Sequence, residues 1–516
     1  MEIKEHPLEY QGEKVAKKHH QEKLKILHVA SELTPIVKAG GLGDVIGSLP
    51  KALVKNFDVD IRIMIPLYKV IDQKKWQLEL IMDGLKIKLP NNEYNRINVF
   101  KTFIPETKIR VYFINLPKYF SGESIYSHPK NGQDVHIPFT YFSRAVMEVI
   151  KAMDWRPDVI NVHSWLTAMI SKWLKTTYIK DKFFKNIATV LTIHVDSPGE
   201  MNFDQAKNLG LKRGDLKGPF KINNRNNISI LGEGILNSDM INTVSPTYAY
   251  ELLTKKSSPM LYKILRTRKK RLTGILNGID YSNFDPRTND DTPVKYWIDD
   301  LDKKVENKLF LQKKFGLTQS AELPLVCVVS RIAPQKGLDL IEDVLKDLVN
   351  MGGQFIILGE GWDKLEKVFI KAEKDNPKAV VAKMHFDGNL AQTIYAGSDM
   401  LLMPSRFEPC GLSQIIAMRF GTIPIVRKTG GLADTVRNGQ TGFVFKKYEK
   451  NDFLEAINRA IEMYYNHKDR WREMQIRAMK KDFSWSSSAR KYMWLYKKAI
   501  RNHKEDLKNE ELKNKN

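Results

Sequence analysis

Cysteine is nearly absent: the 516 residues contain two, Cys327 inside the apolar run LVCVVS and Cys410 in SRFEPCGL. Two thiols cannot build a disulfide framework or a cysteine zinc site, and a reducing cytoplasm is the expected compartment. Long apolar runs are missing as well. No stretch approaches the roughly 18 residues that a membrane span needs, so no membrane partner is expected. The opening residues, MEIKEHPLEYQGEKVAKKHHQEKLK, lack the apolar centre of a signal peptide, and their early acids argue against a transit peptide. A polar, disordered leader is expected over residues 1–24.

What is present is basic and long. The net charge of +23 concentrates anionic partners of any kind. The positive residues are nevertheless interleaved with acids, as in DKKVENK, and no zinc-finger, RNP or basic-zipper spacing occurs, so no nucleic-acid partner is expected. The one dense run, RTRKKR at 266–271, reads as a solvated loop, with a nucleic-acid or targeting patch as its alternative. A chain of this length exceeds the roughly 250–300 residues one core can serve, so two domains are expected. Short β-branched runs alternate with helical periods throughout, the pattern of parallel sheets wrapped by helices. KILHVAS, DIRIMIP, KIRVYFIN, DVINVH, ATVLTIH and MINTVS form one series; LVCVVS, QFIILGEG, KMHFDG, MLLMPS, TIPIVR and GFVFK form another. The irregular stretch after Asn277 separates them. The fold class is therefore α/β, with domains over 25–275 and 276–482, an amphipathic terminal helix over 483–503 and a charged, fraying tail over 504–516.

Ligands of doubly wound sheets bind outside the carboxyl ends of the strands, and four such loops carry donors. In ELTPIVKAGGLGD, Gly40, Gly41 and Gly43 precede a helix with Asp44 as its expected N-cap, and Lys38 adds charge. Exposed amides and a helix N-terminus suit an anion; a tight left-handed turn beside a solvated lysine explains the same letters. In SRIAPQKG, Arg331 offers a planar fork and Lys336 a mobile charge, a pair suited to a diphosphate; plain surface solvation is the alternative. EPCGL and KTGGLAD add glycine turns, and Thr429 adds a hydroxyl. Glu408 sits among these donors either as the salt-bridge partner of Arg406 or as an acceptor for sugar hydroxyls. Together the loops favour a phosphorylated ligand.

VKAGGLGDV, SRIAPQKGLDL and PSRFEPCGLSQIIAMRFGTIPIVRKTGGLADTV resemble blocks of the bacterial glycogen synthases and plant starch synthases. TIH at 192–194, NTVSPTYA at 242–249, ILNGID at 275–280 and FSWSSSARKYMWLY at 483–496 follow in family order, so the resemblance runs from about 25 to 503. It implies GT-B architecture, two facing Rossmann-like domains around a cleft, in a retaining glucosyltransferase. ADP-glucose is the implied donor and an α-1,4-glucan the implied acceptor, extended at its non-reducing end, with no metal or other cofactor. Carried over residue by residue, Lys38, Gly40 and Gly41 lie by the donor, and Arg331 and Lys336 hold its phosphates. His194 contacts the donor glucose, and Glu408 with the amides of Cys410, Gly411 and Leu412 holds its hydroxyls. Thr429 and Gly430 add phosphate contacts, Asn277 lies near the sugar, and the terminal helix crosses back to the first domain.

Three positions depart from the family pattern. Ser164 stands where HDWH-type members carry Asp, and VDSPGE replaces the usual segment after His194, with Asp196 as a possible substitute. Phe386 stands at an adenine-stacking Tyr, keeping the π face without the hydroxyl. Ile416 replaces the second Glu of the broader pattern, as is normal for this family. These departures leave a silent glucan-binding homologue, or a synthase preferring UDP-glucose, as alternatives to an active ADP-glucose enzyme.

Overall fold

The computed structural model describes residues 22–88, 94–126, 136–208, 211 and 227–513. Most of the expected leader therefore lies outside the described residues. The strands in chain order are β1 (Leu24–Val29), β2 (Val59–Pro66), β3 (Glu79–Lys88), β4 (Tyr94–Phe103), β5 (Arg110–Asn115), β6 (Val159–His163) and β7 (Ala188–Ile193). β8 (Glu200–Met201) and β9 (Ile228–Ser229) pair as a small ribbon, and β10 (Met240–Thr243) and β11 (Leu272–Gly274) complete the first half. The second half holds β12 (Leu325–Val329), β13 (Gln354–Leu358), β14 (Val380–Lys383), β15 (Met400–Met403), β16 (Ile423–Arg427) and β17 (Phe443–Phe445).

Among the described residues these strands form two main sheets, ordered β11-β10-β7-β6-β1-β2-β5-β4-β3 and β14-β13-β12-β15-β16-β17. Strands β6, β7 and β15 are buried along their whole length and β1 along its last four residues, as largely apolar runs covered by helices on both faces must be. Each sheet has its own core, here called the first and second lobe. The chain turns back on itself between β1 and β6 in the first sheet and between β12 and β15 in the second. At such reversals neighbouring loops diverge and leave a crevice at the strand ends. The two crevices face each other.

The structure adds elements the periodicity did not suggest. β3 and β4 form an antiparallel hairpin on the sheet edge, with Leu80 and Phe103 nearly half exposed. The terminal helix runs Trp485–Lys513, so the segment from 504 is helical up to residue 513 rather than frayed. Tyr492, Leu495, Tyr496 and Ala499 are buried in the first lobe's core. Beyond them Asp506 pairs with Arg271 at 2.6 Å and Glu511 with Lys185 at 3.1 Å, contacts that hold the charged end in helical form. Arg271 belongs to the basic run at 266–271, and its neighbour Arg268 donates to the Ser238 carbonyl at 2.5 Å. Those two arginines are therefore structural ties rather than solvated side chains.

Candidate active site

The first wall of the cleft is the loop between β1 and the helix Gly41–Asn56. It is organised by Glu32, a buried carboxylate that sequence reasoning passed over. Glu32 Oε2 accepts from the amides of Ala39 and Gly40 at 2.9 and 2.7 Å, and Oε1 accepts from Tyr126 at 2.5 Å. Gly40 is the N-cap, in extended rather than left-handed backbone, and Asp44 is not the cap. Asp44 instead accepts from Lys38 Nζ at 2.7 Å and from Thr34 at 3.2 Å. A Cβ on Gly41 would meet nothing within 4 Å. Neither backbone strain nor internal packing accounts for that glycine, which leaves an open surface beside Lys38.

The second wall comes from the loops after β12 and β15. Arg331 is exposed and lines the cleft; Lys336 turns inward, where its Nζ lies 2.6 Å from Glu408 Oε2. Ser405 donates to the same oxygen at 3.1 Å, and Glu408 is only 5% exposed. Arg406, the expected salt-bridge partner, points elsewhere and pairs with Asp339 at 2.6 Å. Its place beside Glu408 is taken by Lys336 because the bend after Pro334 carries the lysine over the carboxylate. Gly411 has φ +76°, a left-handed conformation that glycine adopts without steric cost. Cys410 is buried, and burial pushes its thiol up to about 12, so it is an inert packing residue.

A cavity of about 460 Å³ lies between the lobes, and Lys38 of the first lobe and Arg331, Phe386 and Leu412 of the second all line it. Phe386 is 77% exposed, its ring face available for stacking. A second cavity of about 600 Å³ is lined by Val195 and Asp196 after β7 and by Thr429. Burial raises the Asp196 carboxyl above the usual range. The amide of Gly430 and the hydroxyl of Thr429 donate to Glu251 Oε1 at 3.0 and 3.2 Å, so a first-lobe carboxylate occupies these donors. Asn277 is buried beside this junction, its side-chain oxygen without a partner among the described residues. Ser164, at φ +59°, takes a left-handed turn that Asp tolerates better than most residues. His194 lies at the end of β7, its Nε2 3.0 Å from Nδ1 of His163.

Sequence reasoning missed His28 and gave His163 no role of its own. Both are fully buried, and their rings are 3.1 Å apart, Nδ1 to Nε2. The signal was a period of two: Asn161 and His163 on β6, and Thr192 and His194 at β7, alternate onto the sheet face that carries His28.

Residues 25–267 match the family model described as the starch synthase catalytic domain, and residues 311–477 match that of glycosyl transferases group 1. The chain is 42% identical over 489 residues to a glycogen synthase of Thermosipho melanesiensis, covering 92% of this chain and 99% of that one. A glycogen synthase of Pseudothermotoga lettingae is 40% identical over 500 residues, with 93% and 99% covered. The catalytic domain of starch synthase IV from Arabidopsis thaliana, solved bound to ADP and acarbose, superposes with TM-score 0.84 at 31% identity, covering 93% of this chain and all of that one. A sucrose-phosphate synthase from Thermosynechococcus elongatus, at 16% identity and TM-score 0.58, shares the fold alone.

Proposed function

The chain belongs to the glycogen and starch synthase family of glycosyltransferases, with the GT-B fold, and from that premise we propose that it transfers glucose with retention from ADP-glucose to the non-reducing end of an α-1,4-glucan. The observation that carries this reading is the cavity between the lobes, lined by a cation from each side, Lys38 and Arg331, with the exposed Phe386 ring at its edge. A nucleotide fits that inventory: a π face for the base and fixed positive groups for the diphosphate. The relative solved with ADP and acarbose lends the same support.

In this reading Phe386 stacks on adenine, Arg331 and Lys336 hold the diphosphate, and Lys38 with the open Gly40–Gly41 surface meets it from the first lobe. As the glucosyl bond breaks, charge builds on the departing ADP, and fixed cations in a closing, poorly hydrated cleft meet that charge. We assign no metal or cofactor to the reaction: charge on the leaving group is met by Lys38 and Arg331, which line the cavity, with Lys336 following on the Arg331 loop, paired to Glu408. Glu408, held by Lys336 and Ser405, accepts from glucose hydroxyls while the turn at Cys410, Gly411 and Leu412 supplies amides. His194 and Asn277 approach the glucose from the first lobe and the crossover. The acceptor hydroxyl attacks from the face the diphosphate leaves, and a donor phosphate oxygen takes its proton. Thr429 and Gly430 become phosphate donors only if Glu251 releases them, which ties donor binding to a movement of the lobes. A cytoplasmic location belongs to the same proposal and rests on the glycogen synthase relatives; separately, no described helix is long and apolar enough to cross a membrane.

Purified protein incubated with labelled ADP-glucose and glycogen is expected to lengthen the glucan. Incorporation from UDP-glucose in preference would correct the base, and none from ADP-, UDP- or GDP-glucose would reject transferase activity. Glucan retention without turnover would then point to the silent homologue that Ser164 allows.

A further inference from the structure

A line of buried polar groups leads from the terminal helix to His194, and each bond in it has a direction. Asn161 Nδ2 lies 3.1 Å from the Val190 carbonyl and 3.3 Å from that of Val162. Carbonyls only accept, so the amide nitrogen must face them and Oδ1 must face Tyr496, whose hydroxyl lies 2.9 Å away. An amide oxygen also only accepts, so the phenol donates to it. With its proton committed, the Tyr496 oxygen is an acceptor for His28 Nε2 at 3.4 Å. A neutral imidazole carries one N–H, so Nδ1 of His28 is bare and accepts from His163 Nε2 at 3.1 Å. The same step repeats at 3.0 Å between His163 Nδ1 and His194 Nε2.

The geometry points to Tyr496, His28 and His163 as positioning residues that fix His194 as its Nε2–H tautomer, so that the bare Nδ1 accepts a hydrogen bond from a hydroxyl of the bound sugar. Neutral rings are required throughout, and burial supplies them: it lowers His28 to about 3 and His194 to about 4, and holds His163 well below the ordinary range. Among the described residues no hydrogen bond reaches Nδ1 of His194, and the half-buried ring directly precedes Val195 and Asp196, which line the second cavity, so its lone pair is open to a ligand there. The unit spans β1, β6, β7 and the last helix. A residue from the far end of the chain thus sets which atom the site presents. The assignment of a sugar hydroxyl as the partner rests on the donor-site reading above; the tautomer itself does not.

The test is nitrogen NMR of the full chain labelled with 15N in its histidine rings, with His194 identified by loss of its signals in His194→Gln. The wild type is expected to show protonated Nε2 and bare Nδ1 at His194; a protonated Nδ1 there overturns the proposal, whatever any variant does. Tyr496→Phe removes the only acceptor that the described residues give His28 Nε2–H, so each ring should move its proton to the other nitrogen and His194 should present N–H. Transfer from ADP-glucose should then fall about tenfold in kcat with a smaller change in donor KM, the scale of one lost hydrogen bond. An unchanged His194 tautomer in Tyr496→Phe also overturns the proposal. Ser488→Ala, about two turns earlier on the same helix, loses a hydroxyl bonded to the Leu276 carbonyl. It should leave the His194 signals as in the wild type; reversal there as well would reduce the effect to loosened helix docking and defeat the proposal. A wild type that transfers no glucose would reject the donor reading, while the spectrum decides the tautomer independently.

Discussion

Two stretches of the chain read almost alike: KAGGLGD at Lys38–Asp44 in the first lobe and KTGGLAD at Lys428–Asp434 in the second. Both open a helix, and in both a glycine amide donates to a first-lobe carboxylate, Gly40 to Glu32 and Gly430 to Glu251. Their glycines nonetheless serve different purposes. A Cβ on Gly41 would meet open space, whereas one on Gly430 would lie 1.9 Å from the Glu408 carbonyl and one on Gly431 2.1 Å from that of Cys410. The acids differ too: Asp44 holds its own loop's Lys38, while Asp434 crosses to the other lobe and accepts from the amide and hydroxyl of Thr247 at 2.8 and 2.7 Å. One copy leaves an open surface on the loop that brings Lys38 to the cavity. The other is a packed joint between lobes.

Substitutions can break that contrast, and the largest effect is expected at the joint. Gly430→Ala forces a methyl into a backbone carbonyl at φ +41°, which should cost at least about 2 kcal/mol of stability. It should also displace Glu408 and abolish transfer; thermal melting and a glucan-incorporation assay read the two losses. An unchanged melting temperature would show that the packing reading is wrong. Next come Glu408→Ala and Lys336→Ala, each expected to lower kcat by about two orders of magnitude, as loss of a transition-state contact does. Near-normal turnover in both would remove the pair from the mechanism.

Gly41→Ala sharpens the comparison from the other side. Alanine favours a helix over glycine by about 0.5–1 kcal/mol, so the melting temperature should hold or rise while kcat/KM for the donor falls about tenfold. A fall in stability would mean the surface is not bare. A different kind of test concerns pH. His28 and His194 are lowered to about 3 and about 4 by burial, against about 6.5 in an unfolded chain. The unfolded chain therefore binds more protons between those values, so their contribution is complete above about pH 6.5 and is lost as pH falls toward 4 and then 3. Urea midpoints should drop across that range, and His28→Gln should flatten the drop.

The alternation of apolar and helical runs made both sheets legible, because buried parallel strands are locally continuous. The edge hairpin β3–β4 was not, since its side chains are partly exposed and its pairing is set by the neighbour β5 rather than by its own pattern. The positions of Lys38, Arg331 and Phe386 around one cavity followed from the strand-end rule and the family resemblance together. The partner of Glu408 did not, because a carboxylate flanked by Arg406 in sequence meets Lys336 only through a contact 72 residues distant. The two GGL loops could not be told apart for the same reason: what surrounds a glycine is tertiary. Glu32 and His28 carried a weaker signal, lying on or just after β1, where polar residues inside an apolar strand must find buried partners.

The terminal helix has a consequence for the order in which the molecule can be completed. Its aromatic face belongs to the first lobe's core, yet the whole second lobe is encoded before it. During synthesis at about 5–20 residues per second, the interval between the end of the first lobe and the arrival of Tyr496 is on the order of ten to forty seconds. Through that interval the nascent first lobe holds an uncovered groove, with Asn161 and His28 lacking the phenol that orders them. The half that emerges first is thus the half that finishes last.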